Sequence, residues 1–151
     1  MRTSFNVACD SSNNYFSQID GSTTSYNFNW ALFKDCKYDV TFSYMSDDVT
    51  TTLSPVMTLW TNFNCVENTY LANATTSTQH LNLLGCLRAD KHGANSYYYA
   101  DENTNPPVRM QRPSNNTFTI FLRNALTSVA YATPTAGQYV LIMHFEECEE
   151  Y

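Results

Sequence analysis

His80, His92 and His144 are the only histidines in this 151-residue chain, so they are its whole supply of side chains that titrate near neutrality. General acid–base chemistry asks for such a group held beside a partner. No two of the three are separated by a single residue, so no strand can offer the paired imidazoles that a β-sandwich metal site needs beside a Glu and a later His. His144 stands among apolar residues and reads as a half-exposed strand histidine. His92 lies within Asp90-Lys91-His92-Gly93 and reads as the tip of a surface loop.

The other reactive types are as sparse. Asp47-Asp48 and Asp101-Glu102 are the internal carboxylate pairs, and either could contribute oxygens to a calcium ion. Neither sits in the alternating acidic pattern of a dedicated calcium loop, so both read as solvated turn charges. Five cysteines, Cys9, Cys36, Cys65, Cys86 and Cys148, are odd in number and widely spaced, with no CxxC and no zinc-finger spacing to histidine. They are expected as free thiols, with no intramolecular disulfide. Four glycines are too few for a phosphate-cradling loop, and no Gly-x-Ser-x-Gly elbow occurs. The expectation is a non-enzyme with no metal and no cofactor.

What remains is a stock of contact residues. Trp60 falls in a run with mixed faces and is the better of the two tryptophans for exposure; Trp30 alternates with apolar aromatics and reads as buried. In Tyr97-Tyr98-Tyr99 a strand would point Tyr97 and Tyr99 one way and Tyr98 the other, with one face available for contact. Glu146, Glu147, Glu149, Glu150 and Tyr151 form an acidic tip. The candidate interface residues are therefore Trp60, Tyr98, Glu146, Glu147, Glu149, Glu150 and Tyr151.

Most of the −6 net charge resides in that tip. Before residue 146 the chain carries 8 basic against 10 acidic residues, so no basic face exists to release counterions from nucleic acid, and no direct nucleic-acid binding is expected. The longest strongly apolar run, 140–143, is far short of the roughly 20 residues of a spanning helix, and no apolar leader follows Met1. The sequons at Asn73 and Asn115 are expected from chance in so Asn- and Thr-rich a chain.

The elements that would position these residues are strands. Asn, Thr and Ser account for 48 of the residues; they serve helix interiors poorly, whereas Thr with 11 Tyr and 9 Phe suits strands. Period-2 alternation recurs at Tyr26, Phe28, Trp30 and Leu32, and again at Tyr38, Val40, Phe42 and Tyr44. Further strands are expected at 56–63 behind Pro55 and at 81–87, the latter with apolar residues on both faces. Short ones follow at 97–99 and 108–112. Phe118, Ile120 and Leu122 predict another after the turn 113–116, and Tyr139, Leu141, Met143 and Phe145 a last one. A weaker strand is expected at 3–9. Long loops at 46–54, 65–78, 89–95 and 124–137 disfavour a meander of tight hairpins. About eight antiparallel strands with long crossovers predict an all-β chain, a single jelly-roll β-sandwich of one domain spanning 1–151. Segment 1–14 reads as an extended arm and 146–151 as a tip outside the sandwich.

The stretch PVRMQRPSNNTFTIFLR at 107–123, followed after a loop by QYVLIMHFEE at 138–147, resembles the closing strands of single jelly-roll minor capsid proteins of large icosahedral DNA viruses and their virophage-like relatives. The shared features are a polar Asn turn, a short F-x-I-x-L strand and a final Y-x-L-x-x-x-F-E strand. The resemblance implies a structural role as a vertex (penton) or capsomer-linking subunit in the virion, assembled in host cytoplasm. Its partners would be copies of itself, the major capsid protein or other minor capsid proteins. A carbohydrate- or receptor-binding β-sandwich, with Trp60 stacking on sugar, is the alternative.

Overall fold

The computed structural model describes residues 3–10, 17–20, 23–46, 57–62, 70–72, 78–80, 82–92, 95–124 and 139–148. Twelve strands and one 3-10 turn account for most of them. The strands are β1 (Ser4–Asp10), β2 (Ser17–Asp20), β3 (Thr23–Asn27), β4 (Lys37–Ser46), β5 (Met57–Thr61), β6 (Tyr70–Ala72), β7 (Thr78–His80), β8 (Leu83–His92), β9 (Asn95–Ala100), β10 (Val108–Gln111), β11 (Thr117–Asn124) and β12 (Tyr139–Glu147).

Strand order follows from the pairing. One sheet runs β1-β12-β4, with β9 and β10 both along the far side of β4; the other runs β2-β3-β11-β5-β8. Every pairing is antiparallel. Taking β9 and β10 as two halves of one strand and β2 as an added edge, the eight main strands lie in chain order 1-8-3-6 and 2-7-4-5. That interleaving of two Greek keys is the jelly roll. β8 joins the sheets: residues 83–87 pair with β5, and residues 88–92 pair with β9.

The core lies between the sheets and is set by alternation. Tyr38, Val40, Phe42 and Tyr44 of β4 point inward, as do Leu141, Met143 and Phe145 of β12 and Phe118 and Ile120 of β11. Trp30, 1% exposed, ties the layers together: its ring lies 5.4 Å from Phe145 of one sheet and 5.7 Å from Phe118 of the other.

Four expectations are corrected. The aromatic run from Tyr26 does not continue as a strand to Leu32, because Asn29 Oδ1 accepts the Ala31 N–H and starts the 3-10 turn Trp30–Leu32. Leu32 is consequently turned out, 72% exposed. Arg112 clamps this turn, donating from Nη1 to the Phe33 and Trp30 carbonyls at 2.6 and 3.3 Å. Residues 89–92 are strand and not loop; the polar run Asp90-Lys91-His92 hid a hairpin that the backbone ladder with 95–98 makes plain. Within the loop expected at 65–78, β6 already pairs with β7. Finally, the weaker strand expected at 3–9 is present as Ser4–Asp10, which is therefore no free arm: it pairs with β12 along its whole length and buries Val7 and Cys9.

The link between β9 and β10 explains one glycine. Asn105 lays its side chain along β8, accepting the Cys86 N–H and donating to the Cys86 carbonyl, both at 2.9 Å. A Cβ on Gly85 would stand 2.6 Å from Asn105 Cγ and 2.7 Å from Phe42 Cε1. Only a residue without a side chain lets the loop dock there. Asp101 shapes the start of that loop: its carboxylate accepts from the Thr104 hydroxyl and the Asn103 N–H, which hold its pKa below the usual value.

Candidate functional site

Alternation that fills the core must send the intervening side chains outward, and the two sheets treat those residues differently. On the sheet containing β12, Met45 is 65% exposed, Val140 44% and Ile142 39%. Register places them together: Ala8 of β1 lies opposite Ile142, Val140 opposite Met45 of β4, and Met45 opposite Tyr99 of β9. Tyr97 and Tyr99, half-buried, share that face with ring centroids 5.9 Å apart. The result is an apolar band crossing four adjacent strands.

Polar groups border the band. On one side lies a shallow pocket lined by Asn6, Thr41, Phe42, Ser43, Glu102, Ile142 and His144. His144 Nδ1 and Asn6 Oδ1 are hydrogen-bonded at 2.7 Å, which ties the ring on β12 to the edge strand β1. On the other side the Tyr97 hydroxyl donates to Asp90 at 3.0 Å. Toward the end of β12 stand two ion pairs, Arg109–Asp39 at 3.0 Å and Lys34–Glu147 at 3.0 Å. Hydrogen bonding to Asp39 raises the Arg109 pKa, and the bond from Lys34 together with the Thr3 N–H lowers that of Glu147. An apolar centre with a hydrogen-bonding rim is the anatomy of a protein contact surface.

The sequence candidates fall out unevenly around this face. Trp60 is not exposed: only 7% of its surface is accessible and its indole donates to Thr58 Oγ1 at 2.8 Å. Tyr98 is 4% exposed and belongs to the core, so the outward tyrosines are Tyr97 and Tyr99. Glu146 is exposed at the end of β12, whereas Glu147 is held by Lys34 and by the edge strand. These two glutamates are thus sheet residues and not a loose tip, because the Glu147 and Cys148 N–H groups bond to the Thr3 and Lys37 carbonyls. Glu149, Glu150 and Tyr151 lie outside the described residues, as do Asp47, Asp48 and Cys65.

No cluster of three or more His, Cys, Asp or Glu able to hold a metal occurs among the described residues. Cys9, Cys36, Cys86 and Cys148 stand as thiols. Burial pushes the Cys9 thiol up to about 12, and burial followed by the nearby Asp39 carboxylate raises Cys148, so neither favours the reactive thiolate. No helix among the described residues is long and apolar enough to cross a membrane. Sequence reasoning missed Met45, Val140 and Ile142 as a group because each looked like an ordinary strand residue; the signal was an apolar residue at an outward position on two neighbouring strands at once. No protein-family model matches this chain, and comparison with curated proteins finds no relative.

Proposed function

We propose that this protein is a structural subunit of a viral capsid, a single jelly-roll minor capsid protein working through protein–protein contacts at the virion vertex or between capsomers. The observation that carries this reading is the strand order, 1-8-3-6 and 2-7-4-5, an architecture that capsid subunits share with lectins and cupin enzymes. Two further features favour the capsid role within that set. The stretches that resemble minor capsid proteins form β10, β11 and β12, where β12 lies at the centre of the open sheet. The apolar band of Met45, Val140, Ile142 and Tyr99 gives that sheet a surface suited to a neighbouring subunit. In this role the sandwich is a rigid mount and the contacts hold the assembly, with copies of the chain or other capsid proteins as partners and host cytoplasm as the place of assembly. The carbohydrate-binding alternative loses its stacking residue, since Trp60 is buried.

The test is fractionation of purified particles from the source. The protein is expected to co-sediment with intact capsids and to resist a salt wash, with a copy number in fixed ratio to the major capsid protein. Recovery wholly in the soluble fraction, or specific retention on a glycan array by protein that never enters particles, would overturn the reading.

A further inference from the structure

β1 ends its sheet, and among the described residues nothing pairs with its outer side. The Thr3 carbonyl accepts the Glu147 N–H at 2.9 Å, so Thr3 turns its backbone toward β12. In an antiparallel ladder the direction alternates, which makes Phe5, Val7 and Cys9 the residues that exchange bonds with β12. The N–H and C=O groups of Ser4, Asn6, Ala8 and Asp10 therefore point away from the sheet, and no described residue pairs with them. Proteins guard such edges with Pro, Lys, bulges or very short strands. β1 has seven residues, SFNVACD, with neither Pro nor Lys, and its register with β12 runs without a shift.

The flank of this edge is apolar. Phe5 is only partly buried, stacked at 3.7 Å on Phe33 and at 5.0 Å on Phe145, and Phe33 stacks in turn on Phe28 at 6.0 Å. A row of half-covered rings thus runs out to the open strand, with exposed Leu32 next in the chain to Phe33.

We propose that a second copy of this chain completes the edge, the two β1 strands pairing antiparallel about a two-fold axis at Val7. The sequence of β1 is complementary to its own reverse in this register. Ser4 meets Asp10 of the second copy and Asn6 meets Ala8, so the four residues with outward backbone groups bond one another, as a ladder requires. The inward row then sets Val7 against Val7 and Phe5 against Cys9, apolar on apolar. Asp10, the only charged residue of the strand, falls opposite Ser4 and not opposite its own copy, so no like charges meet. The contact is isologous and closes at two copies. It goes beyond the capsid reading, because it holds for the isolated protein wherever that protein acts.

The experiment is light scattering of the purified chain together with directed cross-linking. Wild type is expected at twice the chain mass. Ala8→Pro removes one outward N–H and no bond to β12, so it is expected to yield a monomer with an unchanged far-UV spectrum. Ser4→Cys and Asp10→Cys chains, mixed and oxidised, are expected to form a cross-linked dimer that neither variant forms alone. Bonded pairs stand about 5.5 Å apart at Cα, within disulfide reach. Should Ala8→Pro fail to fold, the cross-linking result decides. A monomeric wild type, an oligomer whose size Ala8→Pro leaves untouched, or Ser4→Cys cross-linking equally well by itself would overturn the proposal. Particle fractionation reads the capsid role separately, so either idea can fail without the other.

Discussion

The outward positions of the two sheets, equivalent by alternation, have opposite fates. On β12 and β4 they include Val140, Ile142 and Met45, exposed by 39–65%, beside the half-buried polar residues Thr41, Ser43 and His144. On β5 and the middle of β11 they include Thr58, Trp60 and Thr119, exposed by at most 9%, while Thr117 at the start of β11 is open. Leu83, set opposite Trp60 across a register shift, is buried as well. The chemistry runs against intuition, since the covered patch carries threonines beside Trp60 and the open patch is centred on aliphatics. Residue type alone therefore does not decide which face of a sandwich meets solvent. A buried Thr must bond its hydroxyl, as Thr58 does by accepting from Trp60, whereas an exposed Val or Ile needs no internal partner and is available to an external one. One sheet is finished within the subunit and the other is presented.

The largest effect that can break this contrast is at Trp60. Trp60→Ala empties a buried site and is expected to cost about 3–5 kcal/mol of stability, measured by urea unfolding. Loss of less than about 1 kcal/mol would mean that the indole is not enclosed in solution, and the difference between the sheets would vanish.

A smaller, pH-dependent effect belongs to the open sheet. Lys34 and the Thr3 N–H stabilise the charged form of Glu147, so its pKa in the folded state lies below the ordinary 4.5. The unfolded chain then binds the proton more tightly. The stabilisation is fully present above about pH 4.5 and is lost as pH falls through the lower folded value. Because this bond ties the end of β12 to β1 and to Lys34, Glu147→Gln is expected to flatten the acid side of the stability–pH curve while leaving stability near neutrality only slightly lower. A variant whose acid limb superimposes on that of wild type would remove Glu147 from this role.

How much of this was legible beforehand depends on the range of the cause. The core faces of β4, β11 and β12 could be read directly, because Tyr38-Val40-Phe42-Tyr44, Phe118-Ile120 and Leu141-Met143-Phe145 state a period of two within a few residues. The sandwich followed from the number of such runs and the length of their connections. The turn at Trp30 was not legible from periodicity: aromatic spacing continued through it, and the cap at Asn29 and the clamp from Arg112 overrode that spacing. β1 and the end of β12 looked dispensable because neither pattern is strong alone; each is specified by the other through their register. Trp60 in a run with mixed faces and Tyr98 in a tyrosine triplet carry no local sign of which face is covered, and their burial is a tertiary fact. The open face emerged only when Val140 and Met45, far apart in sequence, proved to be opposite each other.

The finest test keeps shape and changes only polarity on the open face. Val140→Thr with Ile142→Thr retains β-branched residues that suit a strand, and both positions lie at the surface. Neither side chain belongs to the core cluster, so the double variant is expected to unfold within about 0.5 kcal/mol of wild type per site. If the band is a contact surface, the same two hydroxyls must lose their water when a partner arrives, and burying a hydroxyl without a new bond costs about 1–3 kcal/mol each. Incorporation into particles, measured by quantitative co-sedimentation beside wild type, is thus expected to fall severalfold or more while the fold and the β1-mediated pairing persist. Undiminished incorporation would show that contacts lie elsewhere on the jelly roll. A large loss of stability would show instead that Val140 and Ile142 are already covered within the subunit, and the distinction between a finished sheet and a presented one would fail at the very residues that define it.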